Sequence, residues 1–184
     1  MQVNCHRVKN ISYVVIDDYF TPAELKEILS EVKDLKRLAG DGSPKKTGTG
    51  VFLDSLYSDR NRSPFLVASR KIFSEEVVRE LIDFDAVFGF LQVSIKDSCL
   101  VNYYSSGQVY TAHTDTSKIT SVALLGVGNF TGGGFAFPDQ DVKIDFKENR
   151  IIIFPSCISH SSLPLNGDDD AYRVSVAQFI DYVD

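Results

Sequence analysis

Residues 109–137 read VYTAHTDTSKITSVALLGVGNFTGGGFAF. Three short segments rich in β-branched and aromatic residues, 109–114, 119–126 and 134–137, are separated by Asp, Ser, Lys, Asn and Gly, the punctuation of turns rather than of helices. The same pattern extends outward, to 90–95 and 100–104 upstream and to 142–146, 150–154 and 172–180 downstream. Eight such segments in about 90 residues predict a mainly antiparallel β core of sandwich or jelly-roll type. The N-terminal part has a different texture. Residues 12–18 suggest a strand, and a helix follows: Thr21 can cap it, Pro22 suits its first position and Glu24 completes a capping box. Leu25, Ile28, Leu29, Val32 and Leu35 then recur at spacings of three and four, one apolar stripe ending before Gly40. Residues 51–53 suggest another strand, Ser63-Pro64 opens a second helix running to about Phe73, and Ser74-Glu75-Glu76 opens a third. The expected fold class is α+β, mainly β, with two or three helices packed outside the β core.

A chain of 184 residues and 20.5 kDa matches one domain at roughly 150 residues per domain. Residues 1–184 are therefore expected to form a single unit, with the N-terminal strand and helices in 1–85 and the jelly-roll core in 86–184. No apolar run approaches the ~18 residues of a membrane span, and residues 1–16 lack the segments of a secretory signal, so a soluble, cytoplasmic protein without a membrane partner is expected. Nineteen basic against 25 acidic residues leave a net charge of −6, with no run of Lys or Arg to track a phosphate backbone; nucleic acid is not the expected partner. Cys5, Cys99 and Cys157 form no C-x-x-C pair and suit a reducing compartment. Residues 41–50, DGSPKKTGTG, form a loop that is either a lid or an exposed connection.

Of three histidines, two draw attention. His113-Thr114-Asp115 ends a predicted strand, where residues two apart share a face, so an imidazole and a carboxylate project side by side. His160 follows the apolar strand 151–154 and the turn Pro155-Ser156. Two imidazoles and a carboxylate match the facial triad of non-haem Fe(II) oxygenases. By residue type alone they suit a catalytic zinc hydrolase equally. On the last strand, alternation puts Arg173 and Ser175 on one face, a guanidinium and a hydroxyl able to receive a carboxylate. A hydrolase has no need of such a receptor. Gly126 to Gly134 lacks the following helix of a phosphate loop and reads as hairpin turns, and Asp168-Asp169-Asp170 reads as a solvated loop.

Together these segments resemble a family. NYYSSGQVYTAHTD at 102–115 is similar to the Y-x(n)-G-x-x-Y-x-x-H-x-D stretch of 2-oxoglutarate- and Fe(II)-dependent dioxygenases of the prolyl 4-hydroxylase type. GGGFAFP at 132–138 resembles that family's G-G-x-x-x-F-P hairpin, 149–160 its apolar strand leading to the distal His, and Tyr172-Arg173-Val174-Ser175 its R-Y/V-S strand. The resemblance implies a double-stranded β-helix, with His113, Asp115 and His160 as iron ligands and Arg173 on the 2-oxoglutarate C5 carboxylate, assisted by Tyr103 and Ser175. It also implies Fe(II), O2 and 2-oxoglutarate, with ascorbate as a candidate reductant, in the hydroxylation of a prolyl residue, a free amino acid or another small molecule or protein side chain. SVALLGV at 121–127 departs from the pattern, with Leu124 near the place of a second tyrosine. Phe179 stands where the nucleic-acid-demethylating branch would carry a second Arg. A non-catalytic β-sandwich binding module remains an alternative at this stage.

Overall fold

The turn-punctuated strands assemble into two facing sheets with helices over the outer face of the larger one. In the computed structural model, which describes residues 1–39, 49–94 and 96–181, the chain opens with β1 (Gln2–Val8), β2 (Ile11–Asp17), α1 (Pro22–Leu35) and β3 (Thr49–Phe52). Four helices follow: α2 (Leu53–Leu56), α3 (Pro64–Ser69), α4 (Glu75–Phe84) and α5 (Phe90–Val93). The rest is strand: β4 (Lys96–Tyr104), β5 (Tyr110–His113), β6 (Ile119–Val127), β7 (Phe130–Gly132), β8 (Phe135–Phe137), β9 (Val142–Ile144), β10 (Arg150–Pro155), β11 (His160–Ser162), β12 (Leu165–Gly167) and β13 (Tyr172–Asp181).

The main sheet has the order β1-β2-β10-β6-β13-β4-β3, and β5-β11-β8-β9 lies opposite it; β7 and β12 form a separate pair. Every pairing is antiparallel, and the two sheets make a double-stranded β-helix. Because the main sheet is covered on both faces, its central strands are apolar on both. Val14 and Ile16 of β2, Ile151 and Ile153 of β10, and Val174 and Val176 of β13 pack toward the helices. Tyr13 and Val15, Ile152 and Phe154 alternate with them and meet Phe135, Phe137 and Ile144 of the smaller sheet. The helices start where the sequence provides caps. Thr21 and Glu24 close the reciprocal capping box of α1, and the hydroxyls of Ser63 and Ser74 accept from the first turns of α3 and α4.

Two expectations change. Residues 90–93, expected in a strand, form α5, fed by a 3-10 turn at Ala86–Gly89 that begins where the Asp85 carboxylate accepts from Val87 N–H. Leu91 is buried against the helical side of the core, and a segment of four residues is too short to show a period that separates helix from strand. The helical layer thus extends to Val93, while β1, β2 and β3 belong to the main sheet. Thr49 and Gly50 of the proposed lid begin β3, and residues 41–48 lie outside those described.

Candidate metal centre and carboxylate receptor

β5 ends at His113 and pairs with β11, where His160 sits directly opposite it. The register shifts between His160 and Ser162, a bulge of the kind that re-aims side chains at a sheet's rim. Asp115 follows two residues after β5, its amide N–H donating to the Ser156 carbonyl at 2.9 Å. One ligand atom from each of His113, Asp115 and His160 lies within 4.8 Å of the others. The His113 Nε2 stands 3.7 Å from Asp115 Oδ1, and the His160 Nε2 stands 3.5 Å from Asp115 Oδ2.

Both rings are oriented from behind. His113 Nδ1 is 2.8 Å from the Thr111 carbonyl and His160 Nδ1 is 2.9 Å from the Ile158 carbonyl. A carbonyl only accepts, so each Nδ1 carries the proton and each Nε2 presents a lone pair toward the cluster. Phe135 and Phe154 pack on the His160 ring, and Tyr110 lies 4.0 Å, centroid to centroid, from that of His113. Burial among these rings holds the His160 imidazole below its ordinary pKa, against the opposing effects of the Ile158 carbonyl and of Asp115 and with a smaller contribution from His113. The neutral, metal-ligating form is favoured.

Arg173 and Ser175 share the inner face of β13, beyond the triad. Arg173 is fully buried, and among the described residues no carboxylate forms an ion pair with it. Its Nη1 donates to the carbonyls of Gly133 at 2.6 Å, Gly134 at 3.0 Å and Leu163 at 3.4 Å, and its guanidinium lies 4.2 Å from the Tyr104 ring centroid. Nε and Nη2 are buried without a hydrogen-bond partner, as is Ser175 Oγ. These two nitrogens form one edge of the guanidinium, the fork that receives a carboxylate side-on. Burial brings the Arg173 pKa down to about 10, which leaves it cationic at neutral pH. A buried cation without a counter-charge costs several kcal/mol, and among the described residues carbonyls and the Tyr104 ring are what this one meets.

Tyr103 does not reach the site. It projects from the helical face of β4, where its hydroxyl donates to the Val32 carbonyl of α1 at 2.6 Å. Its neighbour Tyr104 points inward and pairs with Arg173 across the β4–β13 ladder. Leu124 lies opposite Ser175 in the β6–β13 ladder and packs in the core between the sheets. Three hydroxyl residues not singled out from the sequence, Ser117, Thr120 and Ser156, gather behind Asp115. A cleft of about 800 Å³ opens beside His113 and Asp115, lined also by Phe52, Tyr110 and Phe179.

No protein-family model matches the chain, and no curated protein matches it. Solved structures do. The viral collagen prolyl hydroxylase of Paramecium Bursaria Chlorella virus-1, in its 2OG complex, superposes with a TM-score of 0.60 at 18% identity, over 93% of this chain and 96% of that one. A Pseudomonas putida prolyl-4-hydroxylase gives 0.66 at 14% identity over 95% of each chain. A Trichoplax adhaerens prolyl hydroxylase bound to a hypoxia-inducible-factor peptide gives 0.60 at 15% identity, over 92% and 83%. At these identities the likeness shows a shared fold.

Proposed function

We propose that the protein is an Fe(II)- and 2-oxoglutarate-dependent oxygenase that hydroxylates an unactivated C–H bond, with O2 as co-substrate, succinate and CO2 as by-products and ascorbate as a candidate reductant. The observation that carries this reading is the coexistence, between the same two sheets, of a His-Asp-His cluster and a buried guanidinium edge without an anion. A zinc hydrolase needs only the first, and a binding module needs neither.

His113 and His160 would hold the metal through Nε2 and Asp115 through a carboxylate oxygen, a donor set suited to non-haem Fe(II). Bound iron supplies the oxygen activation and C–H chemistry that side chains lack. Arg173 would receive the distal carboxylate of 2-oxoglutarate on its Nε/Nη2 edge, with Ser175 Oγ and Tyr104 beside it. Phe135 and Phe154 keep water from the His160 side of the cluster. The outer cleft would take the primary substrate. A prolyl residue or a free amino acid is the favoured class, supported by the prolyl hydroxylases among the structural neighbours, one of them peptide-bound.

Anaerobic calorimetry tests both halves. The wild-type protein loaded with Fe(II) should bind 2-oxoglutarate, and Arg173→Ala should weaken that binding by about 2–5 kcal/mol, the cost of removing one partner of a buried charge pair. His160→Ala should lose stoichiometric metal. Unchanged 2-oxoglutarate affinity in the first variant would remove Arg173 from the site, and full metal occupancy in the second would overturn the triad. The substrate class is read by mass spectrometry of candidate peptides and amino acids for the gain of one oxygen atom.

A further inference from the structure

The two oxygens of Asp115 are treated differently by the chain. Oδ2 faces the His160 Nε2 and accepts the Thr120 hydroxyl at 2.7 Å, whereas Oδ1 faces the His113 Nε2 and takes no hydrogen bond from the described residues. Thr120 is fully buried on the inner face of β6. Its oxygen lies 2.8 Å from Ser156 Oγ, and Ser156 Oγ lies 2.8 Å from Ser117 Oγ. An ionised carboxylate only accepts, which fixes the direction of the series. Thr120 donates to Asp115, Ser156 donates to Thr120, and Ser117 donates to Ser156. Hydroxyls aligned head to tail polarise one another, so the last bond, onto Oδ2, is strengthened. The buried Ser156 serves twice, because its carbonyl also anchors the Asp115 amide.

Resting on the metal site proposed above, we infer that Thr120 is a positioning residue that fixes the rotation of the Asp115 carboxylate within the cluster. The Thr120 hydroxyl holds Oδ2 on the His160 side and so leaves Oδ1 on the His113 side, while the Ser156 carbonyl ties the Asp115 backbone in place. Without that hydroxyl the carboxylate is free to rotate, and the metal would lose a ligand held ready in one orientation.

The test compares the full-length wild type with Thr120→Val, Thr120→Ser and Ser156→Ala, each titrated anaerobically with Co(II) and then with 2-oxoglutarate, with circular dichroism to verify folding. Thr120→Val is expected to bind Co(II) with an altered visible absorption spectrum and to lose about 10-fold or more in Co(II) affinity, the usual scale for removing a group that orients a metal ligand. Thr120→Ser, which restores the hydroxyl, should return both readouts to wild type, which a packing defect would not predict. Ser156→Ala keeps the Thr120 hydroxyl and should shift both in the same direction by less; it carries the test if Thr120→Val does not fold. Wild-type spectrum and affinity in the folded variants overturn the inference. A wild type that takes up no Co(II) overturns the metal site and the inference with it. A wild type that binds Co(II) but not 2-oxoglutarate overturns the proposed cosubstrate, and the Co(II) spectrum and affinity still decide the role of Thr120.

Discussion

Two adjacent tyrosines divide the work of one strand. Tyr103 ties β4 to α1 through Val32, and Tyr104 stacks on Arg173 inside the β-helix. Tyr103→Phe is expected to leave 2-oxoglutarate affinity unchanged and to cost about 0.5–1.5 kcal/mol in urea denaturation, since a buried carbonyl loses its donor. Tyr104→Phe should do the reverse, weakening the titration several-fold with little loss of stability; equal effects on both readouts would contradict this division. The sequence led to the wrong tyrosine for a physical reason. Strand alternation is visible when one face is wet, and β4 is buried on both faces over 101–104. His113, Asp115, His160 and Arg173 stood out as candidates because imidazole, carboxylate and guanidinium are rare among apolar neighbours, and Ser175 only through its alternation with Arg173. Thr120 and Ser156 did not, since a hydroxyl in a strand or a turn carries no signal until the partner it meets across the fold is known.

Among elements, the crossing from β7 to β8 is the most constrained. Gly132 and Gly133 both adopt left-handed backbone, with φ of 74° and 72°, and the carbonyls of Gly133 and Gly134 hold Arg173 Nη1. A Cβ on Gly134 would stand 2.4 Å from the Ile144 carbonyl oxygen of β9, so the two chains can approach only without a side chain there. Gly134→Ala is expected to cost about 1–3 kcal/mol by displacing β8 from β9. Because the Gly133 and Gly134 carbonyls would move with it, 2-oxoglutarate affinity should fall as well; a stability loss with unchanged affinity would separate the crossing from the receptor. Long or sharply capped elements were readable from the sequence, α1 through its capping box and β10 through its continuous apolar run. Missed were β7, β11 and β12, whose Thr, Ser, Asn and Gly are turn residues by type, and β1, which lies at the sheet edge with no fully buried residue; β8 and β9, equally short, were visible through their apolar residues.

On the scale of the molecule, the N-terminal hairpin is fastened to the β-helix by charge as well as by β2–β10 pairing. Asp17 accepts from Arg150 Nε at 2.7 Å and Nη2 at 3.0 Å, with Lys147 Nζ 3.2 Å away. The hydrogen bonds from Arg150 dominate in holding its carboxyl below the ordinary aspartate value, against the opposing effect of burial. A pKa depressed in the folded state stabilises the fold above the unfolded value of about 3.9, and that contribution disappears as the pH falls through the lower folded value. Asp17→Asn should therefore flatten the acid side of the stability profile while lowering stability at neutral pH, as read from urea midpoints between pH 3 and 7. An unchanged acid limb would show that the pair contributes nothing to this fastening.

The buried guanidinium of Arg173 has a consequence for the life of the protein. Among the described residues no carboxylate completes that charge, so the cosubstrate proposed here would act as a folding ligand. Linkage then adds RT ln(1 + [L]/Kd) to the free energy of unfolding, about 2.7 kcal/mol at a hundredfold excess over Kd. The fraction of intact protein, and not only its turnover rate, would then rise with the concentration of dicarboxylate.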